Sequence, residues 1–144
     1  MPESPRPAPR LPAPRKKATP KPPADPFERA RLLCLAFPEV IERPSHGEPA
    51  FFVKGKLFVT FSVDHHHDGE EALWIKAAPG VQEMLIDDDP EHYYRPPYVG
   101  PSGWVAARMN RKAIPWADIE ALIRDAWMLA APKRLAATLP PPED

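Results

Sequence analysis

The stretch that most restricts the fold is residues 93–108, YYRPPYVGPSGWVAAR. A helix cannot run through its middle, because Pro96 and Pro97 lack backbone donors and clash with a preceding helical turn. Two glycines then flank a turn that leads into an apolar segment. We therefore expect two short strands, over residues 92–94 and 103–109, and with them an antiparallel sheet.

The segments around this stretch are typical of a domain that mixes helices and strands. Asp25 followed by Pro26 is a helix start, and alternating apolar residues around Lys54-Gly55-Lys56 indicate a hairpin. The predicted elements are a helix over 26–36, strands over 50–53, 57–63 and 72–76, a short helix after Pro79 and a final helix over 115–131. Alternation places Leu57, Val59, Phe61 and Val63 on one face. We expect a loop that contains Pro44 and Ser45-His46-Gly47-Glu48-Pro49 before the first strand, and another loop over the acidic run 87–90.

Prolines divide the chain into a domain and flanking segments. Nine of the 23 prolines lie within the first 23 residues, where they alternate with alanine and basic residues. Such a sequence lacks an apolar period and favours extended conformations. We expect residues 1–24 to be disordered, residues 25–139 to form one domain and residues 140–144 to be a loose end. Residues 1–25 carry a formal charge of +4, which leaves −5 on the remainder.

Cysteine content and hydropathy indicate the compartment. Cys34 is the only cysteine, so no disulfide can form within the chain and a reducing environment suits it. No apolar run approaches the ~18 residues that cross a bilayer, and no continuous apolar core follows the basic start as in a secretory signal. We expect a cytoplasmic protein without membrane association.

The most metal-like cluster is the run His65-His66-His67 between Asp64 and Asp68. Adjacent ligands converge poorly on one ion, since metal sites usually draw ligands from separate elements. The acidic run 87–91 lacks the ligand spacing and the central glycine of an EF-hand. We interpret both as solvated loops and expect no metal or other cofactor.

Catalysis by a nucleophile needs a serine or cysteine beside a histidine and an orienting carboxylate. Ser45, His46 and Glu48 are neighbours in sequence, but no sharp turn motif presents the serine, and Cys34 falls on the apolar face of the first helix. We assign no catalytic residue and expect no enzymatic activity. The alternative is a small ligand or substrate held in a pocket near His46, Glu48 and Tyr98.

Basic side chains at the predicted hairpins and near the end of the domain are candidates for contacts with phosphates. The chain has neither a glycine-rich phosphate loop nor a dinucleotide fingerprint. The candidate nucleic-acid-binding residues are Lys54, Lys56, Arg95, Arg108, Arg111, Lys112, Lys133 and Arg134. Tyrosines and tryptophans beside them suit base stacking, although aromatic residues in strands are more often core. The acidic balance of the domain opposes a dedicated nucleic-acid binder.

The order of several short motifs resembles the MmcQ/YjbR family of small bacterial proteins. The motifs are Cys34-Leu35-Ala36-Phe37-Pro38-Glu39, His46-Gly47-Glu48-Pro49-Ala50-Phe51, Gly55-Lys56-Leu57-Phe58, Leu73-Trp74-Ile75-Lys76, Pro97-Tyr98-Val99-Gly100, Gly103-Trp104-Val105 and Ala131-Pro132-Lys133-Arg134-Leu135. The resemblance covers residues 25–139 and rests on the order and spacing of the motifs. It implies a two-layer α+β fold, an antiparallel sheet with helices packed on one face, similar to frataxin-like and secretion-chaperone-like folds.

The resemblance also implies a function, because members of the family are described as DNA-binding proteins with a double-wing motif built from β-hairpins. It places Lys54 and Lys56 on one wing, with Arg108, Arg111 and Lys112 near the other. The leading hypothesis is a non-enzymatic DNA-binding protein that contacts the phosphate backbone through these wings and the basic N-terminal segment. The alternative is a chaperone-like module that binds a protein partner through an exposed sheet face or a helix surface.

Overall fold

The chain forms two layers, an antiparallel sheet and a set of helices on one of its faces. The computed structural model describes residues 23–64 and 67–139. The strands are β1 (Val40–Ser45), β2 (Glu48–Val53), β3 (Lys56–Val63), β4 (Glu71–Ile75), β5 (Tyr93–Tyr94) and β6 (Val105–Arg108), in the sheet order β1-β2-β3-β4-β6-β5. The helices are α1 (Pro26–Leu35), α2 (Val81–Asp88), α3 (Trp116–Ala130) and α4 (Lys133–Ala136). The α+β fold class predicted from the sequence is confirmed.

Helix α1 begins where the sequence predicts. The Asp25 carboxylate accepts a hydrogen bond from the Phe27 amide at 3.1 Å, which caps the helix start. The helix buries Cys34 completely, so the cysteine is a core residue. At its beginning, the Phe27 ring lies 4.9 Å from the ring of Phe61 in β3, and this contact fixes α1 against the sheet.

Helix α3 covers most of the same sheet face. Its buried stripe is Ile119, Leu122, Ile123, Ala126, Trp127 and Ala130. These positions follow the helical period, as the sequence predicts. The Trp127 indole N–H donates to the Pro38 carbonyl at 3.1 Å, which ties the end of α3 to the start of β1.

Two tight turns set the register of the first three strands. In the β1–β2 turn, His46 and Gly47 have φ of 54° and 83°, and in the β2–β3 turn Lys54 and Gly55 have φ of 49° and 80°. Two consecutive residues with positive φ match the twist of a hairpin. The hairpin predicted around Lys54 and Gly55 is therefore confirmed.

The structure corrects two predicted loops. Residues 40–45 form β1. The sequence did not predict this strand, because it carries charged residues and Pro44. As an edge strand, β1 tolerates a proline. Asp87 and Asp88 belong to α2 rather than to a loop. Their charges oppose the helix dipole, but Leu85 and Ile86 in the same turn pack against the core.

A β-bulge corrects the predicted alternation of β3. The register between β2 and β3 shifts at Phe51 and Phe52, so Phe58 is buried in the main core beside Val59. Val63, predicted to face inward, is exposed. A bulge adds a residue to one strand, and here it places Leu57, predicted to share a face with Val59, against the cluster of Trp74 and Trp104 on the other face. The exposure of Val63 follows instead from its position at the end of β3.

Some predictions concern positions outside the described residues, namely residues 1–22, 65–66 and 140–144. Within the described ranges, no helix is both long and apolar enough to cross a membrane.

Candidate functional site

The two faces of the sheet have different surroundings. Along β4, Leu73 and Ile75 join the main core with the buried residues of α3, whereas Ala72 and Trp74 join a second cluster with Trp104. No residue of α1 to α4 belongs to this second cluster as far as the described chain goes. We call the first side the covered face and the second the open face.

A pocket of about 560 Å³ lies on the open face, between the β1–β2 turn and the segment 95–104. Its lining combines aromatic and aliphatic side chains with hydroxyl groups, one imidazole and one carboxylate. The lining residues are Ser45, His46, Glu48, Leu57, Thr60, Phe61, Ser62, Trp74, Tyr98 and Val99. The structure therefore brings together His46, Glu48 and Tyr98, the three residues that the sequence placed near a pocket.

Ser62 carries a buried polar group in the wall of the pocket. Its side chain is 3 % exposed, and its hydroxyl has no hydrogen-bond partner among the described residues. Leaving a buried hydroxyl unpaired costs about 1–3 kcal/mol. Nearby, the Thr60 hydroxyl has only long contacts of 3.4 Å to the Pro49 and Phe61 carbonyls. The pocket wall thus carries hydrogen-bonding capacity that the described chain hardly uses.

Tyr98 stands at the pocket rim in an unusual backbone conformation. Its side chain is 68 % exposed and its φ is 66°, in the left-handed region that bulky residues seldom adopt. Such strain costs about 1–3 kcal/mol and is concentrated at functional sites. The fold therefore holds a large aromatic ring in solvent beside the pocket.

Gln82 of α2 holds the segment that carries Tyr98. Its side chain is 2 % exposed and donates to the carbonyls of Gly100, at 2.9 Å, and Trp104, at 2.6 Å. Its own carbonyl accepts a hydrogen bond from Arg95 at 3.2 Å. Sequence reasoning missed Gln82, because a glutamine beside the apolar stripe of a short helix gives no sign of its partners.

The charges in the pocket favour neutral or cationic ligands. Among the described lining residues Glu48 is the one carboxylate, and none is lysine or arginine. Three cations of the open face stack on aromatic rings outside the lining: Arg43 on Phe52 at 4.1 Å, Lys76 on Trp104 at 5.9 Å and Arg108 on Tyr94 at 4.5 Å. A phosphate in the pocket would meet the Glu48 carboxylate, and the basic group it would meet in the described lining is the His46 imidazole rather than a lysine or arginine.

Arg108, a candidate for phosphate contact, is occupied within the fold. Its guanidinium donates to both oxygens of Glu70, at 2.8 and 3.0 Å, and also to the carbonyls of Pro90 and Glu91. The hydrogen bonds from Arg108 lower the pKa of Glu70, outweighing the burial that raises it. Arg108 therefore joins β6 to the β3–β4 loop, a role that competes with binding phosphate.

The other candidate cations differ in their surroundings. Lys54 lies 2.5 Å from Glu39, and Arg111 lies 3.5 Å from Glu91. Arg95 is exposed and bonded to Gln82. Among the candidate cations, those whose side chains are exposed and make no hydrogen bond or ion pair with another described residue are Lys56, Lys112, Lys133 and Arg134.

The two predicted wings lie at opposite ends of the sheet. Lys54 lies in the β2–β3 turn, beyond the end where Val59 pairs with Ile75. Arg108 pairs with Ala72 at the other end of β4. The strands therefore separate the candidate residues into two groups instead of gathering them into one surface.

The described residues include no assembled catalytic centre. No hydrogen bond joins the side chains of Ser45, His46 and Glu48 in this part of the chain, and burial raises the pKa of the Cys34 thiol, which opposes formation of a thiolate. No three metal-ligating side chains gather in residues 23–64 and 67–139.

His92 makes a separate polar link beside β5. Its Nδ1 lies 2.9 Å from the Asp89 carboxylate, and its Nε2 lies 2.8 Å from the Lys112 carbonyl. Both partners are acceptors, so the arrangement suits a ring that carries two protons. The contact with the Lys112 carbonyl and then that with Asp89 raise the pKa of His92, against the opposing effect of burial.

Comparisons with known proteins identify a protein family and a similar solved structure. A family model described as YjbR matches residues 35–129. The crystal structure of Deinococcus radiodurans protein DR2400, with a domain described as DUF419, is similar with a TM-score of 0.60 and 19% identity, covering 72% of this chain and 76% of that chain. At this identity the likeness shows the fold. The search of curated proteins found no match.

Proposed function

Since the chain belongs to the YjbR family, as its motifs predict, we propose that it acts as a binding module whose site is the open-face pocket. The observation that carries this proposal is the unpartnered, buried hydroxyl of Ser62 in the wall of the pocket. An unsatisfied buried group in a native fold calls for an explanation, and a bound ligand is one that fits its position in a pocket wall. The exposed, strained ring of Tyr98 at the rim supports the same conclusion.

The lining indicates the chemistry of the ligand. Trp74, Tyr98 and Leu57 suit a flat or aliphatic group, and the hydroxyls of Thr60 and Ser62 suit a hydrogen-bonding group beside it. The volume falls within the range of about 300–1,000 Å³ for small-molecule sites. With one carboxylate, one imidazole and neither lysine nor arginine in its described lining, the pocket suits a neutral or cationic, partly apolar group, as on a small molecule or a peptide.

A pair of simple probes of opposite charge tests this proposal. Phenethylammonium and hydrocinnamate have similar size and the same ring, but one is a cation and the other an anion. We expect phenethylammonium to shift the NMR amide signals of Ser62, Trp74 and Tyr98. A carboxylate about 4 Å away across water attracts the cation by about 1 kcal/mol and repels the anion by about as much, so the cation should bind about thirtyfold more tightly than the anion.

Variants locate the binding. Tyr98→Ala should weaken binding of phenethylammonium, whereas Met84→Ala, an exposed position on α2, should leave it unchanged. Absence of shifts at Ser62, Trp74 and Tyr98, or tighter binding of hydrocinnamate, would show that the pocket does not have the proposed role.

Binding of duplex DNA is a second candidate function, favoured by the +4 charge of residues 1–25 and by exposed basic residues of the domain. The cations suited to it are Lys56, Lys112, Lys133 and Arg134, with Lys54, Arg95 and Arg111 as weaker contributors because each already has a protein partner. The net charge of −5 beyond residue 25 works against this binding. We therefore assign DNA contact first to the basic N-terminal segment.

Fluorescence anisotropy with a labelled duplex tests this second candidate. Binding through phosphates should weaken steeply as salt rises from about 50 to 200 mM. In the full-length chain, one variant replaces the six basic residues before Asp25 by glutamine, and another replaces Lys56, Lys112, Lys133 and Arg134. We expect the first variant to lose most of the affinity; loss in the second alone would assign binding to the domain, and no binding at low salt would exclude it.

A further inference from the structure

The proline-rich N-terminal sequence has a pattern that suits the open-face pocket. In residues 6–15, RPAPRLPAPR, Arg6, Pro9, Pro12 and Arg15 recur at every third position. A polyproline-II helix has three residues per turn, so in that conformation these four side chains would share one face. We propose that this face, the Arg-Pro stripe, docks in the open-face pocket of the same chain. The proposal rests on the pocket being a binding site.

The pocket offers the groups by which proteins recognise polyproline-II segments. Aromatic-lined grooves bind proline-rich segments because the prolines pack on flat rings and the backbone is already extended. Tyr98 and Trp74 supply rings in the lining. A polyproline-II backbone leaves its carbonyl oxygens without internal partners, and proline has no N–H. A site for such a segment therefore needs donors, and the unpartnered Ser62 hydroxyl is a suitable donor.

The charges of the N-terminal segment and of the pocket are also complementary. The Arg-Pro stripe carries an arginine at each end, and the lining carries Glu48. Residues 1–25 have a charge of +4 against −5 on the remainder, so the segment and the domain attract each other. The same charges would repel a second basic ligand from an occupied pocket.

The chain is long enough, and begins close enough, for the segment to reach its own pocket. Phe27 at the start of α1 lies 4.9 Å from Phe61, and Phe61 lines the pocket between Thr60 and Ser62. On this side of β3 the sheet continues with β2 and ends with β1, which forms its edge. In a polyproline-II conformation, the nine residues 16–24 between the stripe and α1 would span about 28 Å at about 3.1 Å per residue, which suffices to round this edge. A covalent tether of this kind gives the segment an effective concentration of about millimolar at the pocket, so a weak contact is enough.

A spin label on the segment tests the proposal in the full-length chain. Ala8→Cys places a thiol off the Arg-Pro stripe, while Cys34 is fully buried and should stay unlabelled. With a nitroxide attached, we expect broadening of the amide signals of Ser62 and Trp74. Pro9→Ala/Pro12→Ala should abolish the broadening, whereas Pro5→Ala/Pro14→Ala, which removes two prolines off the stripe, should preserve it.

Competition with the small probe gives a second readout. If the segment covers the pocket in half to nine-tenths of the molecules, Pro9→Ala/Pro12→Ala should bind phenethylammonium about two- to tenfold more tightly than the unchanged chain. The matched variant Pro5→Ala/Pro14→Ala should bind it as the unchanged chain does. Equal affinity in all three chains would overturn the docking proposal.

The outcomes separate this inference from the proposed function. If phenethylammonium shifts the pocket signals but the label broadens none of them, the pocket binds ligands and the segment does not dock. If the label broadens signals only on an unlabelled second copy in a mixed sample, docking occurs between chains and the intramolecular proposal is wrong. If neither probe nor label affects the pocket, both proposals fail.

Discussion

The covered and open faces of one sheet are used in opposite ways. On the covered face, side chains such as Phe51, Val59 and Ile75 are completely buried in one continuous core with α3. On the open face, a smaller cluster around Trp74 lies beside an unpartnered serine hydroxyl and an exposed, strained tyrosine. Burial in a core of this size stabilises the fold and offsets local backbone strain elsewhere in the domain. We infer that the covered face maintains the fold and the open face binds.

The largest expected effect contrasts two adjacent phenylalanines. Phe51 is fully buried in the main core, whereas Phe52 is half-buried on the open side, under Arg43. Phe51→Ala should lower the free energy of unfolding by about 3–5 kcal/mol, because it leaves a cavity. Phe52→Ala should cost less than half of that. Urea unfolding measures both, and equal losses would contradict the division between the faces.

Removal of the Arg108 side chain should have the next largest effect. Arg108→Ala leaves the half-buried Glu70 without its partner and should cost about 1–3 kcal/mol. The exposed Lys56→Ala should stay within about 0.5 kcal/mol as its control. Because Arg108 lowers the pKa of Glu70, the pair stabilises the fold above the ordinary carboxyl pKa, and this contribution is lost as pH falls through the lowered value.

Urea unfolding over a pH series checks this second prediction. The difference in stability between the unchanged chain and Arg108→Ala should shrink as the pH falls below about 4. A difference that stays constant through the acid range would show that Arg108 acts through packing on Tyr94 and not through Glu70.

Tyr98→Gly should stabilise the fold while weakening binding. Glycine adopts a φ of 66° without steric cost, so relief of the left-handed conformation should raise the free energy of unfolding by about 1 kcal/mol. Affinity for phenethylammonium should fall because the ring is gone. Tyr98→Phe, which keeps both the ring and the strain, is the control and should change stability little. A destabilised Tyr98→Gly would show that the ring supports the fold.

The smallest effect is expected at His92, which lies outside both faces. Its pKa is raised, so its contacts with the Lys112 carbonyl and Asp89 stabilise the fold below the ordinary histidine pKa, and this contribution is lost as pH rises through the raised value. Each hydrogen bond contributes about 0.5–1.5 kcal/mol. His92→Gln should therefore reduce stability at acid pH and little at alkaline pH. An equal loss at both would exclude protonation as the cause.

The covered face could be predicted from sequence because it follows local rules. The stripe of α3 has the helical period, and Asp25 with Pro26 marks the start of α1. β1 escaped prediction, since an edge strand tolerates Pro44 and needs no apolar alternation. The bulge at Phe51 and Phe52 escaped it as well, because one extra residue leaves no mark in the sequence pattern.

The candidate site was only partly predictable. The sequence placed His46, Glu48 and Tyr98 near one another, and the structure confirms that they line one pocket. The isolation of the Ser62 hydroxyl and the anchoring of the rim by Gln82 depend on side chains far apart in sequence. Likewise, the pairing of Arg108 with Glu70, which competes with phosphate contact, joins residues far apart in sequence and could not be predicted from charge patterning.

Ser62→Ala tests the division between the two faces most directly, when unfolding and binding of phenethylammonium are measured on the same preparation. Because the buried hydroxyl has no partner in the described chain, its removal should leave the free energy of unfolding unchanged or raise it by up to about 1–3 kcal/mol. The same change should weaken binding of the probe. A loss of stability with unchanged affinity would contradict the account, since the hydroxyl would then serve the fold and not a ligand.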